Sequence, residues 1–301
     1  MKKDFLSIKN LSKQNIEYIL ELSIKLKKES KEGIYYKPLE GKSFALAFEK
    51  PSTRTYVSFV VAIQQLGGNV VTLPQSSLGN RESLHDISQT LSRYVDGIII
   101  RTFAQSTLES IAEHAAVPVI NALSDKYHPC QIMADYQTIV EHKGIGKKKI
   151  AYLGDGFNIS HTLLEFCAKV GYDLSVATPK GYEPDAGIVA GALQEAKDSK
   201  LEITNSPEQA LIKADIIYTD TWTSMGKENE SAKRMPLFLP FQVNSNLLKL
   251  AKSDALVMHC LPAHRGQEIT DEVIDGPQSI VFDQAENRLH IQKAILCYLF
   301  E

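Results

Sequence analysis

The chain has 301 residues, of which 44% are hydrophobic and 23% charged, and its formal net charge is −3. This length suits about two domains of roughly 150 residues each, and the charge gives no reason to expect non-specific binding to nucleic acid. No apolar run approaches the roughly 20 residues that cross a bilayer, and the first residues lack the apolar core of a signal peptide.

The cysteines are widely spaced and contain no C-x-x-C pair. They are Cys130, Cys167, Cys260 and Cys297. This spacing predicts neither structural disulfides nor a zinc site, which fits a reducing compartment. We therefore expect a cytoplasmic protein without a membrane segment.

The first half of the chain alternates between helical and strand patterns. A helix over 12–28, which carries apolar residues at helical spacing, opens the series. The elements that follow are a strand over 43–48, a helix over 56–66, a strand over 70–73, a helix over 83–94, a strand over 97–101, a helix over 108–114, a strand over 117–121 and a helix over 129–142. This alternation predicts a parallel sheet with helices on both faces.

A polar break rich in Gly and Lys covers 144–149, and the pattern then starts again. Strands are predicted over 149–153, 174–177, 201–204, 216–219 and 255–259, with helices over 159–170 and 287–299. The sequence thus predicts an α/β fold of two doubly wound parallel-sheet domains with an active-site cleft between them, near the carboxyl ends of the strands. We place the first domain at 1–143, completed by the C-terminal helix 287–301, and the second at 149–284.

The strongest local signal is the run Ser52, Thr53, Arg54 and Thr55 between a predicted strand and a predicted helix. Hydroxyls and unpaired backbone N–H groups at a helix N-terminus form an anion site, and an arginine can hold two phosphate oxygens at once. The alternative is a simple Ser/Thr cap beside a solvated arginine. Three hydroxyls around one arginine exceed what a cap requires, which favours a phosphate site.

Two further positions could serve the same ligand. Arg101 directly follows the apolar residues of a strand, where a second cation suits the anion, although a surface arginine is the simpler interpretation. His128 and Gln131 open the long helix. The histidine could donate to a carbonyl oxygen that gains negative charge, and the amide could accept from an N–H group. A capping histidine is the alternative.

The second half adds three candidates at predicted strand ends. The turn 154–158 resembles a nucleotide-binding turn, but Ile159 stands where the third glycine of G-x-G-x-x-G belongs, so a dinucleotide site is weakly indicated. Asp220 could bind an ammonium group. Cys260, beside His259 and a proline turn, is either inert core or functional.

Together these motifs resemble those of the carbamoyltransferase family over nearly the whole chain. Residues 52–55 match its S-T-R-T phosphate loop, and residues 128–131 match its H-P-x-Q. Residues 220–226 are similar to the D-x-W-x-S-M-G loop of the members that act on ornithine, and residues 259–262 match the H-C-L-P of the same subgroup.

This resemblance implies transfer of the carbamoyl group of carbamoyl phosphate to the δ-amine of L-ornithine, giving L-citrulline and phosphate, in arginine biosynthesis or catabolism. It implies that carbamoyl phosphate binds first, that the chain forms a homotrimer or a multiple of trimers, and that no metal or cofactor takes part. Arg101, His128 and Cys260 are the expected catalytic residues. The residues expected at carbamoyl phosphate are Ser52, Thr53, Arg54, Thr55, Arg101, His128, Gln131, Cys260, Leu261 and Arg288. Those expected at ornithine are Asn158, Asp220, Ser224 and Met225.

The chain departs from the family pattern at two positions. Tyr56 replaces the arginine that usually follows S-T-R-T, and Phe157 replaces a residue that is often asparagine. Three alternatives stay open: a carbamoyltransferase for putrescine, aspartate or an acylated ornithine; a catalytically silent binding subunit; and a nucleotide-binding regulator that uses the turn 154–158.

Overall fold

The computed structural model describes residues 3–74, 78–79, 82–223 and 228–301, and the chain divides into two compact units. The first unit comprises Met1–Ile139 and Glu286–Glu301, and the second comprises Val140–Ala285. Among the described residues, no helix has both the length and the apolar character needed to cross a membrane.

The strands and helices follow in chain order. The strands are β1 Ser43–Phe48, β2 Asn69–Thr72, β3 Gly97–Arg101, β4 Val119–Leu123, β5 Lys149–Leu153, β6 Asp173–Ala177, β7 Leu201–Thr204, β8 Ile216–Thr219 and β9 Leu256–His259. The α-helices are α1 Lys13–Lys31, α2 Thr53–Gln65, α3 Leu84–Tyr94, α4 Gln105–His114, α5 Pro129–Lys143, α6 Asn158–Val170, α7 Ala186–Glu195, α8 Pro207–Leu211, α9 Ser231–Phe238, α10 Ser245–Leu248, α11 Asp271–Ile274 and α12 Val281–Phe300.

The sheet of the first unit is parallel and has the order β2-β1-β3-β4. Alternate residues of a strand face opposite sides, so Ala45 packs with Leu108 and Ile111 of α4 on one face. Phe44, on the other face, contacts Phe300 of α12 edge to face, with 5.2 Å between ring centroids. Helices therefore cover this sheet on both sides.

The sheet of the second unit is also parallel, with the order β7-β6-β5-β8-β9. Leu153 pairs with Thr219, and Thr219 pairs with His259. Strands β5, β8 and β9 thus end side by side, and the residues that follow them lie at the same end of the sheet.

The structure confirms the predicted fold class of two parallel-sheet α/β domains. Five strands, β1, β3, β5, β7 and β8, have the predicted bounds. Four helices, α2, α4, α6 and α12, begin earlier than predicted. The side chain of Ser52 caps α2, so its first turn contains the polar residues assigned to a loop. The final helix begins at Val281, where buried Val281 and an acidic Asp283 in the first turn support a helical start.

Candidate active site

The first group of site residues lies at the carboxyl ends of β1 and β3. These strands are neighbours at the point where the strand order reverses, which is where open parallel sheets bind ligands. Arg101 is the last residue of β3 and is 5% exposed. The pairing with β4 shifts register between Ile100 and Arg101, a local irregularity of the kind that redirects side chains near active sites. The Glu49 N–H donates to the Arg101 carbonyl at 2.8 Å, which holds the chain leaving β1 beside this arginine.

The run of hydroxyls after β1 forms the start of α2. Ser52 is the N-cap, and its Oγ accepts from the Thr55 N–H at 3.3 Å. Thr55 is buried, whereas Thr53 is exposed and Arg54 half-buried. In the described part of the chain, Arg54 makes no ion pair. The structure thus gives Ser52 the capping role and leaves the Arg54 guanidinium able to hold an anion at a helix N-terminus.

Arg288 on α12 joins the starts of two other helices within the first unit. Its Nη2 donates to Thr55 Oγ1 at 3.0 Å, and its Nη1 donates to Gln131 Oε1. The Gln131 Nε2 donates in turn to Asp135 Oδ1 at 2.8 Å. Arg288 and Gln131 are 4% and 1% exposed, so this bridge is shielded from water. The structure therefore brings together Thr55, Gln131 and Arg288, three of the residues that were expected at carbamoyl phosphate.

His128 lies directly before α5 and is buried. Burial lowers its pKa well below the ordinary value, and the positive charges of Arg288 and Arg101 lower it further. The imidazole is consequently neutral near pH 7 and keeps one N–H to donate. Arg101, His128 and Arg288 thus share a buried, electropositive environment.

In the second unit, Asp220 follows β8 and Cys260 follows β9. The Cys260 thiol donates to Asp220 Oδ1 at 2.9 Å, and the Thr221 N–H donates to the same oxygen at 2.7 Å. Among the described residues, no group donates to Asp220 Oδ2. One carboxylate oxygen is therefore fixed by the protein, and the other is available to a cationic ligand.

Side chains also fix the segment after β9. The His259 N–H donates to Gln284 Oε1 at 2.9 Å, and the Leu261 N–H donates to His259 Nδ1 at 2.8 Å. The His259 Nε2 lies 3.1 Å from Glu268 Oε1. Leu261 has a φ of 57°, in the left-handed region that non-glycine residues seldom adopt. This segment is thus held in an uncommon conformation by several hydrogen bonds.

Asp220, His259 and Cys260 each offer one possible metal-ligand atom, and these atoms lie within 4.8 Å of one another. Both ring nitrogens of His259 already take part in hydrogen bonds, and the Cys260 thiol donates to Asp220. An ion could bind here only after these bonds were broken. The arrangement is therefore a hydrogen-bonded network rather than a preformed metal site.

Asn158 is the first residue of α6 and is half-buried. The turn before it is held by Arg234, whose Nη1 donates to Asp155 Oδ2 at 2.5 Å and to the Trp222 carbonyl at 2.9 Å. Arg234 is 5% exposed, and the ring of Tyr182 lies 4.8 Å from its guanidinium carbon. Arg234 thus connects the turn that carries Asn158 to the segment after Asp220. Ser224 and Met225, also expected at this site, lie outside the described residues.

The glycines of the turn 154–156 have a packing role. A Cβ at Gly156 would lie 2.3 Å from backbone atoms of Glu183 and Pro184, and the Gly156 N–H donates to the Tyr182 carbonyl at 2.9 Å. This N–H is not available to a phosphate, and the neighbouring Asp155 carboxylate would repel one. These contacts argue against the nucleotide-binding alternative.

The two departures from the family motifs have local partners. The hydroxyl of Tyr56 lies 2.8 Å from Thr72 Oγ1, and its ring packs edge to face on Phe48 at 5.9 Å. Phe157 is the N-cap residue of α6, and its ring lies 6.5 Å from that of His161. Tyr56 thus contacts β1 and β2 of its own unit.

Sequence reasoning missed Arg234, Glu268 and Gln284. Arg234 lies in a strongly charged stretch, which is typical of a solvated helix face, and Glu268 lies in a polar loop. Their burial depends on partners far along the chain, such as Tyr182 and Tyr218. No local pattern in the sequence marks them.

Comparison with known protein families defines the class of the protein. Residues 3–141 match the family described as the aspartate/ornithine carbamoyltransferase carbamoyl-P binding domain. Residues 146–299 match the family described as the aspartate/ornithine carbamoyltransferase Asp/Orn binding domain. The chain belongs to the aspartate/ornithine carbamoyltransferase family.

Individual relatives are similar over nearly their whole length. The ornithine carbamoyltransferase of Caldicellulosiruptor saccharolyticus is 52% identical, with 98% of this chain and 97% of the relative covered. That of Anoxybacillus flavithermus is 50% identical, with 99% and 96% covered. The solved structure of ornithine carbamoyltransferase from Pyrococcus furiosus superposes with a TM-score of 0.96 at 48% identity, covering 98% of this chain and 96% of that one.

The buried, neutral His128 predicts a pH-dependent stability. In the unfolded chain a histidine takes up a proton with a pKa of about 6.5, whereas the folded chain resists this protonation. Below that pH the unfolded state binds the extra proton, so His128 lowers the free energy of unfolding by up to about 1.4 kcal/mol per pH unit. We expect the parent to lose more stability between pH 7 and pH 5 than His128→Gln in urea titrations. The control His85→Gln, at an exposed histidine, should follow the parent. Parallel pH profiles for the parent and His128→Gln would contradict the prediction.

Proposed function

We propose that the protein transfers the carbamoyl group of carbamoyl phosphate to the δ-amine of L-ornithine, giving L-citrulline and phosphate. The observation that carries the choice of acceptor is the Asp220 carboxylate. Cys260 and Thr221 hold its Oδ1, and Oδ2 accepts from none of the described residues. An oriented carboxylate suits the α-ammonium of an amino acid. The relatives named above, which bear the name ornithine carbamoyltransferase, support the same choice.

We assign the donor to the cationic residues of the first unit. Arg54 and Arg101 can each hold two phosphate oxygens, and the hydroxyls near the start of α2 can donate to the same group. The neutral His128 can donate its N–H to the carbonyl oxygen as negative charge develops there. The proposed phosphate ligands are Ser52, Thr53, Arg54, Thr55 and Arg101. The carbonyl oxygen is proposed to contact Thr55, Arg101 and His128. The carbamoyl amide is proposed to contact Gln131 and the backbone carbonyls of Cys260 and Leu261. Arg288 is proposed to contact the same substrate.

We assign the amino-acid end of ornithine to the second unit. Asp220 binds the ammonium group, and Asn158 contributes an amide that can both donate and accept. Ser224 and Met225 are kept as proposals from the motif alone. Arg234, through Asp155 and the Trp222 carbonyl, supports the backbone near Asn158 and Asp220.

The proposed reaction is an attack by an amine on a carbonyl carbon. An alkylamine has a pKa of about 10, and only its neutral form is a nucleophile. A C–N bond forms, a tetrahedral intermediate carries negative charge on oxygen, and the C–O bond to phosphate then breaks. The amine must lose one proton, which the site or the departing phosphate accepts. Positioning of the reactants and stabilisation of the oxyanion are sufficient for this chemistry.

We further propose a homotrimer, or a multiple of trimers, in a reducing compartment such as the cytoplasm. The family resemblance supports the assembly. On α2, Val57 beside Tyr56 is 50% exposed, which leaves an apolar side chain available to a neighbouring chain. The wide spacing of the cysteines, without a C-x-x-C pair, supports a reducing compartment.

The proposed function is tested by supplying carbamoyl phosphate with one acceptor at a time. The acceptors to compare are ornithine, putrescine, aspartate and acetylornithine, with the carbamoylated product measured directly. We expect citrulline as the main product, because a site with polar groups for the amino-acid end rejects a diamine by leaving those groups unpaired. Faster turnover of putrescine or aspartate would identify a different carbamoyltransferase. No turnover of any acceptor would indicate a silent binding subunit.

The role of Arg54 is tested by Arg54→Ala. Loss of a bidentate charge-assisted contact should remove on the order of 3 kcal/mol of transition-state binding, or a factor of about 100 in kcat/KM. Steady-state kinetics of citrulline formation measure this loss, and circular dichroism checks the fold. The control Arg93→Ala removes an exposed arginine of α3 and should stay close to the parent. Parental activity of Arg54→Ala would overturn the phosphate assignment.

The division of the substrates between the two units is tested by Asp220→Asn. This change keeps the shape of the side chain but removes the charge that attracts the α-ammonium, so ornithine should bind much more weakly. Carbamoyl phosphate should bind the free protein almost as before. Calorimetric titrations of each ligand separate these effects, with Asp254→Asn, an exposed carboxylate paired with Lys143, as control. Equal losses for both ligands in folded Asp220→Asn would contradict the division.

A further inference from the structure

A fully buried carboxylate lies behind the segment that follows β9. Glu268 and His259 are both 0% exposed. Glu268 Oε1 lies 3.1 Å from His259 Nε2 and accepts from the His264 N–H at 2.5 Å. Burying a carboxylate carries a large desolvation cost, which hydrogen-bond donors must offset. This pair is therefore a costly feature within the segment that contains Cys260 and Leu261.

The hydrogen bonds of His259 determine which ring nitrogen carries the proton. The Leu261 N–H donates to Nδ1 at 2.8 Å, so Nδ1 must offer a lone pair. In the neutral ring the proton then lies on Nε2, which faces Glu268. An ionised carboxylate only accepts hydrogen bonds, so Glu268 stabilises this tautomer. In the other tautomer, the Nδ1–H of His259 would point at the Leu261 N–H. The lone pair on Nε2 would then face the Glu268 carboxylate.

The tautomer of His259 in turn stabilises an unfavourable backbone conformation of Leu261. The left-handed conformation of Leu261, with a φ of 57°, is unfavourable for a residue with a Cβ. The bond from its N–H to His259 Nδ1 offsets part of this cost. On the other side, the His259 N–H is held by Gln284, and the Cys260 thiol by Asp220. Hydrogen bonds thus hold the backbone of Cys260 and Leu261 at both ends. Glu268 influences the bond at the Leu261 end, through the tautomer of His259.

We propose that Glu268 is a positioning residue for the carbamoyl transfer. Acting through the Nε2–H tautomer of His259, it sets the backbone conformation of Cys260 and Leu261. This inference rests on the proposed function, in which the carbonyls of Cys260 and Leu261 accept from the carbamoyl amide. Loss of Glu268 should therefore lower kcat, because the reacting carbonyl is misoriented, and should change the KM for ornithine little.

The first experiment compares Glu268→Gln with Glu268→Met in the full chain. The amide oxygen of glutamine can still accept from His259, so Glu268→Gln should keep the tautomer and a kcat within about threefold of the parent. Glu268→Met removes the acceptor and should lower kcat on the order of 10-fold to 100-fold, with the KM for ornithine within about threefold. The ¹⁵N chemical shifts of His259 should report protonated Nε2 in the parent and in Glu268→Gln, and loss of that pattern in Glu268→Met.

A second experiment asks whether Glu268 acts through the ring. In His259→Asn, the shorter side chain can accept from the Leu261 N–H but does not reach Glu268. Adding Glu268→Met to this variant should lower kcat by less than about twofold. A full, additive loss would show that Glu268 acts by another route, such as its bond to the His264 N–H, and would overturn the proposal.

A matched control separates positioning from general loss of stability. Asp215 also accepts from a backbone N–H, that of Lys149, at 2.8 Å, but it precedes β8 at the opposite end of the sheet. Asp215→Asn should lower the midpoint of thermal unfolding and leave kcat unchanged. If Glu268→Met does not fold, Glu268→Gln decides alone. A kcat lowered well beyond threefold with the parental tautomer, or a parental kcat with a changed tautomer, would contradict the proposal. An inactive parent would refute the proposed function, whereas an active parent with parental kcat in folded Glu268→Met would refute this inference alone.

Discussion

The proposed carbamoyl-phosphate site depends on the hydrogen bonds of the Arg288 guanidinium. From α12 the guanidinium donates to Thr55 at the start of α2 and to Gln131 at the start of α5. With Arg101 it also lowers the pKa of the buried His128, which stays neutral. Burying positive charge is costly, and a phosphate dianion placed among these groups would offset part of that cost. The same contacts therefore order the first unit and place positive charge where we propose that the anion binds.

We assign the opposite charge, the ammonium group of the acceptor, to the second unit. Three strands end side by side, so the residues after β5, β8 and β9 meet at the same end of the sheet. There the thiol of Cys260 donates to one oxygen of Asp220, and the other oxygen accepts from none of the described residues. Arg234 and Glu268, both buried, hold the surrounding backbone. The first unit offers cations that suit a phosphate, and the second offers a carboxylate that suits an ammonium group. These charges agree with the proposed anionic donor and cationic acceptor.

The sequence was most informative where local pattern and burial coincide. Strand β3 is a continuous apolar run that ends in Arg101, as expected for a parallel strand buried on both faces, and its bounds were predicted correctly. The predicted helix starts were less accurate than the strand bounds. For example, the polar residue Thr53 belongs to α2, because Ser52 caps that helix. Arg101, Asp220 and Cys260 were proposed as site residues because each lies at the end of an apolar strand or directly after it. Glu268 was not found, because its burial against His259 arises only when the second unit folds.

The proposal that buried cations of the first unit hold the anionic donor is tested by the variant Arg288→Met. Carbamoyl phosphate would be titrated calorimetrically into the full chain without ornithine, for the parent and for this variant. Loss of charge-assisted hydrogen bonds worth about 1.5–3 kcal/mol predicts a Kd raised about 10-fold to 100-fold. An unchanged Kd in folded Arg288→Met would contradict the claim.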